Sequence, residues 1–91
     1  MPQYLPTTRT IWRRKQVEAE SGQSRSTIYL RITQGLWPKQ IRIGPRAVGW
    51  LAREVAAINT ARIAGKSDDD IRALVTQLEA ARMAPVSREG K

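Results

Sequence analysis

The chain offers little for acid–base or metal chemistry. It contains no histidine and no cysteine, so the commonest general base, the commonest zinc ligand and the thiolate nucleophile are all missing. Its one carboxylate run, Asp68-Asp69-Asp70, stands directly before an apolar periodic stretch. The first turn of a helix, where the dipole favours negative charge, accounts for three acids there without a metal. What is spaced for chemistry is the cations and hydroxyls. Arg13, Arg14 and Lys15 are consecutive; Ser24, Arg25, Ser26 and Thr27 form a second group, with Tyr29 and Arg31 just beyond; Lys39, Arg42 and Arg46 form a third. Guanidinium forks, ammonium groups and hydroxyls at this density hold phosphate oxygens, and an arginine can bond guanine through two hydrogen bonds. The chemistry implied is recognition rather than catalysis. No enzymatic activity, cofactor, metal or small-molecule ligand is expected.

The charge balance says the same. Sixteen Lys and Arg against eight Asp and Glu leave +8 on 91 residues. Residues 9–46 hold nine of the basic side chains and two acids, whereas residues 47–91 hold seven and six. A surface that is basic only for solubility has no reason to be so segregated, so an anionic partner is expected for the first half. No apolar stretch approaches the roughly 20 residues that span a bilayer, and Met1 to Thr10 lacks the apolar core of a secretion signal. The expectation is a cytoplasmic, nucleoid-associated protein with no membrane partner, of a size that fits one small domain.

These residues need elements to position them. Residues 1–8, with two prolines and no charged side chain, read as a flexible N-terminal arm. Arg13 to Ser21 reads as a short helix closed by Gly22, a residue able to take positive φ at a helix C-terminus. Ser24 can cap a second helix, in which Ile28 and Ile32 form an inward stripe up to Gly35. Two short helices joined by a tight glycine-containing turn have the layout of a helix-turn-helix, whose second helix enters the major groove. The polar–apolar alternation of Lys39 to Ile43, the Gly44-Pro45-Arg46 turn and the return through Ala47-Val48-Gly49 predict a β-hairpin. A third helix is expected from Trp50 to Ala64, with Leu51, Val55 and Ile58 on its inner face, packed under the hairpin. Ser67 is expected to cap a fourth with the stripe Ile71, Leu74, Val75 and Leu78. Residues 85–91 read as a disordered tail. The organisation expected is an arm (1–8), a winged helix-turn-helix DNA-binding domain (9–64), a C-terminal helix (65–84) and a tail (85–91): a mainly α fold with a small β-hairpin.

The strings VEAESGQSRSTIY (17–29) and GLWPKQIRIGPRAVGWL (35–51) closely resemble the excisionase and AlpA-type phage regulators, small relatives of the winged-helix domain of MerR-type proteins. The resemblance covers about residues 11 to 58. Its most specific parts are SRSTIY at 24–29 and GPRAVGW at 44–50, which occupy the start of the recognition helix and the wing turn in that family. It implies DNA binding in the service of a mobile element. The protein would be a recombination directionality factor that bends attachment-site DNA for a tyrosine recombinase (integrase), or a transcription regulator of phage or integrative-element genes. The sequence departs from the pattern at Arg14 and Gln23, where apolar residues are usual, and in the order Leu30-Arg31 after the tyrosine.

The residues expected to touch DNA are then Arg25, Ser26, Thr27 and Tyr29 in the groove, with Ser24 and Arg31 on the same helix. Arg13, Arg14 and Lys15 are expected on phosphates, because three cations at a helix N-terminus oppose its dipole and an outside anion compensates. Lys39, Arg42 and Arg46 are expected to bring the wing to the backbone or minor groove. Trp12, Trp37 and Trp50 are expected to close the core rather than stack on bases. The stripe Ile71, Leu74, Val75 and Leu78 covers the chain's own core or pairs with a second copy along DNA; self-association is the expectation carried forward. The absence of a ligand-binding or long dimerisation domain favours excision over transcription control. An RNA-binding protein is the more distant alternative, and it would more often show exposed aromatics or arginine-rich disorder.

Overall fold

A computed structural model describes residues 10–83. The expected arm at 1–8 and tail at 85–91 lie outside those residues. The element order is β1 (Ile11–Trp12), α1 (Arg14–Ser21), α2 (Arg25–Thr33), β2 (Ile41–Gly44), β3 (Ala47–Leu51), α3 (Ala52–Ile63) and α4 (Asp68–Ala81). This is a winged helix-turn-helix with a C-terminal helix, as the sequence predicts.

Local chemistry sets the first two helices. α1 ends at Gly22, which takes φ 71° in the left-handed region, and its N–H returns to the Glu18 carbonyl. A side chain there would be strained, so glycine makes the short turn possible. Ser24 then caps α2, its hydroxyl accepting from the Thr27 N–H at 3.2 Å. Val17 of α1 and Ile28 of α2 are both fully buried and bring the two helices onto one core.

The hairpin is part of a larger sheet. The strand order is β1-β3-β2, all antiparallel. β1, which the sequence reading omitted, pairs Ile11 with Leu51 and Trp12 with Trp50, and the Ala52 N–H continues the ladder to the Thr10 carbonyl at 2.8 Å. This corrects the expected start of the third helix: Trp50 and Leu51 belong to β3, because β1 claims their backbone, and α3 begins at Ala52. Gly49 makes the pairing possible, since a Cβ there would stand 2.6 Å from Ile11 Cγ2 and 3.0 Å from the Trp12 carbonyl. The first strand of the hairpin also starts later than the alternation suggests, at Ile41, leaving Lys39 and Gln40 in the approach to it.

The core gathers Val17, Ile28, Leu36, Trp37, Trp50, Val55, Ile58 and Ala61 with Ile71 and Val75 of α4. Trp37 and Trp50 are buried, with the Trp50 indole N–H donating to the Pro38 carbonyl at 3.0 Å, and Trp12 packs against their cluster. The α4 stripe turns inward onto the chain's own core. Ile71 and Val75 have essentially no surface to offer a second copy, and Leu74 and Leu78 are half-buried against the same core. The acids of Asp68–Asp70 stand in the first turn of α4, beneath a Ser67 cap.

Among the described residues one charged residue is buried. Glu54 on α3 is fully enclosed, and Arg82, just past α4, binds it through Nε at 2.8 Å and Nη2 at 2.6 Å. The hydrogen bonds and charge of Glu54 hold the Arg82 guanidinium above its ordinary value against the opposing effect of burial. A buried carboxylate with a two-point guanidinium partner is the arrangement that keeps desolvation from being prohibitive. Arg82 Nη2 also donates to the Lys39 carbonyl at 2.7 Å, and the Lys39 N–H donates to Glu79 at 2.8 Å. The end of α4 therefore holds both backbone polar groups of the residue that leads into the wing.

Candidate nucleic-acid interface

The first cation group meets the wing. Arg13, Arg14 and Lys15 line an open cleft together with Arg46 of the wing turn and Val48 of β3, and no acid lines it. Arg42 stands directly across from Val48 in the β2–β3 ladder. Cross-strand partners share a face, so Arg42 lies on the cleft side of the wing. The start of α1 has no side-chain cap and no acid in its first turn, which leaves its amide N–H groups and three cations together at the positive end of the helix dipole. Arg14 differs from its neighbours, because Glu18 one turn along takes its guanidinium. Arg13, Lys15, Arg42 and Arg46 have no ion-pair partner among the described residues, and all four are exposed.

The second group continues this face. The Arg25 guanidinium lies over the Tyr29 ring, 5.5 Å from its centroid. Tyr29 meets Trp50 edge-on, with centroids 6.1 Å apart and planes at 68°. Trp50 is two residues from Val48 on the same side of β3, and Val48, which lines the cleft, packs against the core cluster that contains Trp50. The half-buried Tyr29 ring thus serves packing as well as the face. Ser24 and Thr27 are engaged with each other, the Ser24 hydroxyl donating to Thr27 Oγ1 at 3.0 Å, while Ser26 is exposed.

Two predicted residues lie elsewhere. Arg31 points into a separate crevice shared with Ser21, Gln23, Trp37, Asn59 and Arg62. Lys39 lies at the root of the wing, beside Arg72, Thr76 and Glu79 of α4. Neither lines the cleft of Arg13, Lys15 and Arg46.

Beside Ser26, the exposed side of α2 holds Leu30 and Thr33, which the sequence analysis does not count among the contact residues. At about 100° per residue, Thr33, Ser26 and Leu30 fall within roughly 60° of arc, and all three are exposed. Leu30, at 56 % exposure, is the largest apolar group on that arc. The signal was present: if Ile28 and Ile32 turn inward, Leu30 at i+2 from Ile28 must turn out. Among the described residues no group of three or more His, Cys, Asp or Glu is placed to hold a metal, and no helix is long and apolar enough to cross a membrane.

Fold and face together define a winged helix-turn-helix protein with a basic cleft beside an exposed second helix. The family described as "Prophage CP4-57 regulatory protein (AlpA)" matches residues 10–58, from the entry of β1 into α3. The chain belongs to that family of phage regulatory proteins. It is also similar to "Uncharacterized protein ORF88" of Enterobacteria phage P4, with 49% identity over 45 residues that make up 50% of this chain and 51% of that protein. The chain thus spans about half the length of this curated relative. No solved structure matches. α4 lies outside the span matched by the family.

Proposed function

We propose that this protein binds double-stranded DNA sequence-specifically, with α2 in the major groove and the α1–wing cleft on the phosphate backbone, and that it acts as an excisionase. In this role it binds and bends attachment-site DNA so that a tyrosine recombinase excises a mobile element. The observation that carries the reading is the gathering of Arg13, Lys15, Arg42 and Arg46, four exposed cations with no internal acid, on the face that leads through Tyr29 to α2. Phosphates are the anions such a cleft suits, and a helix flanked by a wing is the geometry that reads a groove while gripping the strands beside it. Bending would be the architectural output. Arrays of copies on repeated sites would be built through surfaces other than Ile71 and Val75, which the core consumes.

A second reading, control of transcription of phage or integrative-element genes, is favoured by the regulatory character of the matched family. One experiment separates the two: footprinting and binding titration on attachment-site DNA and on nearby promoters, at two salt concentrations, with wild type and Arg25→Ala. Excision predicts several protected sites at the attachment region, loss of protection in the variant, and a log–log salt slope of about −5 for some six phosphate contacts. Protection confined to a promoter supports the transcriptional role. Sequence-blind binding unchanged by Arg25→Ala sinks the assignment of α2 as the reading helix.

A further inference from the structure

We infer that Leu30 is a specificity-determining residue that selects thymine through its C5 methyl group, an inference that rests on the DNA-binding reading above. Leu30 lies on the exposed arc of α2, between Ser26 and Thr33 along the helix axis. The fold explains its neighbours otherwise: Ile28 is fully buried and Ile32 is packed against the core. Leu30 alone on this helix carries a large apolar group more than half exposed. Thr33 reinforces the apolar character, since its hydroxyl donates to the Leu30 carbonyl at 2.6 Å. That bond turns the hydroxyl back onto the helix.

The major groove offers this arc one chemical match. Base edges there present hydrogen-bond donors and acceptors, which a leucine can neither satisfy nor replace, and the thymine methyl is the one apolar group among them. Over a G·C pair Leu30 would remove water from polar atoms and return no bond; over thymine it buries a methyl against its own. The arc carries no charge, while the cations stand outside it, at Arg25 and in the wing cleft. The cations hold the strands and the arc reads by apolar contact.

The test uses duplexes selected from a randomised pool by the full chain, with each thymine of the bound site then replaced by uracil, which removes the methyl and nothing else. For wild type, uracil at one position should weaken binding roughly fourfold, the equivalent of one buried methyl group. Leu30→Ala should bind the thymine duplex weaker by a similar factor and show no further loss on the uracil duplex. Leu30→Met, which keeps an apolar side chain of similar size, should retain the discrimination. Because Leu30 is exposed, these substitutions leave the core intact, and circular dichroism confirms the folded state of each. Wild type that binds uracil and thymine duplexes alike at every position overturns the inference, as does a uracil penalty that persists in Leu30→Ala. In either case salt-dependent binding to the selected site still stands, so the DNA-binding reading survives. A chain that enriches no duplex at all refutes both.

Discussion

The two halves of the molecule use arginine in opposite ways. In the half from β1 to the wing, Arg13, Lys15, Arg42 and Arg46 project into solvent with no acid opposite them, and α1 begins without a cap. In the half from α3 onwards three arginines are bound internally. Arg62 pairs with Asp68 at 3.1 Å, Arg72 with Asp69 at 3.2 Å and with the Gln34 carbonyl at 2.9 Å, and Arg82 with Glu54 and Lys39. The segregation of net charge along the sequence is thus a segregation of pairing in space. Where acids accompany the cations, the charge fastens helices together; where they are absent, it is left for a partner.

The contrast can be broken most severely at Arg82. Replacing it with alanine leaves the Glu54 carboxylate buried without a partner, and should cost about 3–5 kcal/mol, a large part of what a domain this size possesses. Urea denaturation would show it as a fall in midpoint, and a double replacement of Glu54 and Arg82 by leucine should recover much of the loss. A single variant as stable as wild type would mean that the pair does not hold α4.

On the other side the sign of the experiment reverses. Arg13→Ala, Lys15→Ala and Arg46→Ala should each leave unfolding within about 0.5 kcal/mol of wild type while lowering the log–log salt slope of DNA binding by about 0.9 per lost phosphate contact. Unchanged slopes in all three would remove the cleft from the interface. Arg14→Ala sharpens the comparison within one helix turn: because Glu18 already takes this guanidinium, its loss should change the slope less than Arg13→Ala does. Among the internally paired arginines the smallest effect should come from Arg72→Ala, whose ion pair with Asp69 is exposed to water and should contribute under about 1 kcal/mol to unfolding.

Much of this plan is legible in the sequence because its causes are local. Gly22, Ser24 and Ser67 act on backbone within three or four residues, and the inward pairing of Ile28 with Ile32 follows from helical period. The cation groups are contiguous, so their surplus can be counted. What escaped has non-local causes. A two-residue strand such as Ile11–Trp12 shows no alternation, and its existence depends on Gly49, some forty residues on. Glu54 looks like an ordinary surface acid until Arg82, 28 residues later, encloses it. Which cations share the cleft is likewise a matter of how the wing folds back over α1, and this is why Arg31 and Lys39, indistinguishable by type, fall outside it.

The grip of α4 on Lys39 has a consequence for any attempt to pare the protein down. The matched span ends at residue 58, which invites the view that β1 to α3 is a self-sufficient reading head. Yet the pivot of the wing is clamped at its amide and its carbonyl by Glu79 and Arg82. A chain trimmed after α3 would keep every cation of the cleft while its wing hinge came unlatched. On the proposed DNA-binding reading, such a fragment would still attract DNA, but with a swinging arm in place of a set one.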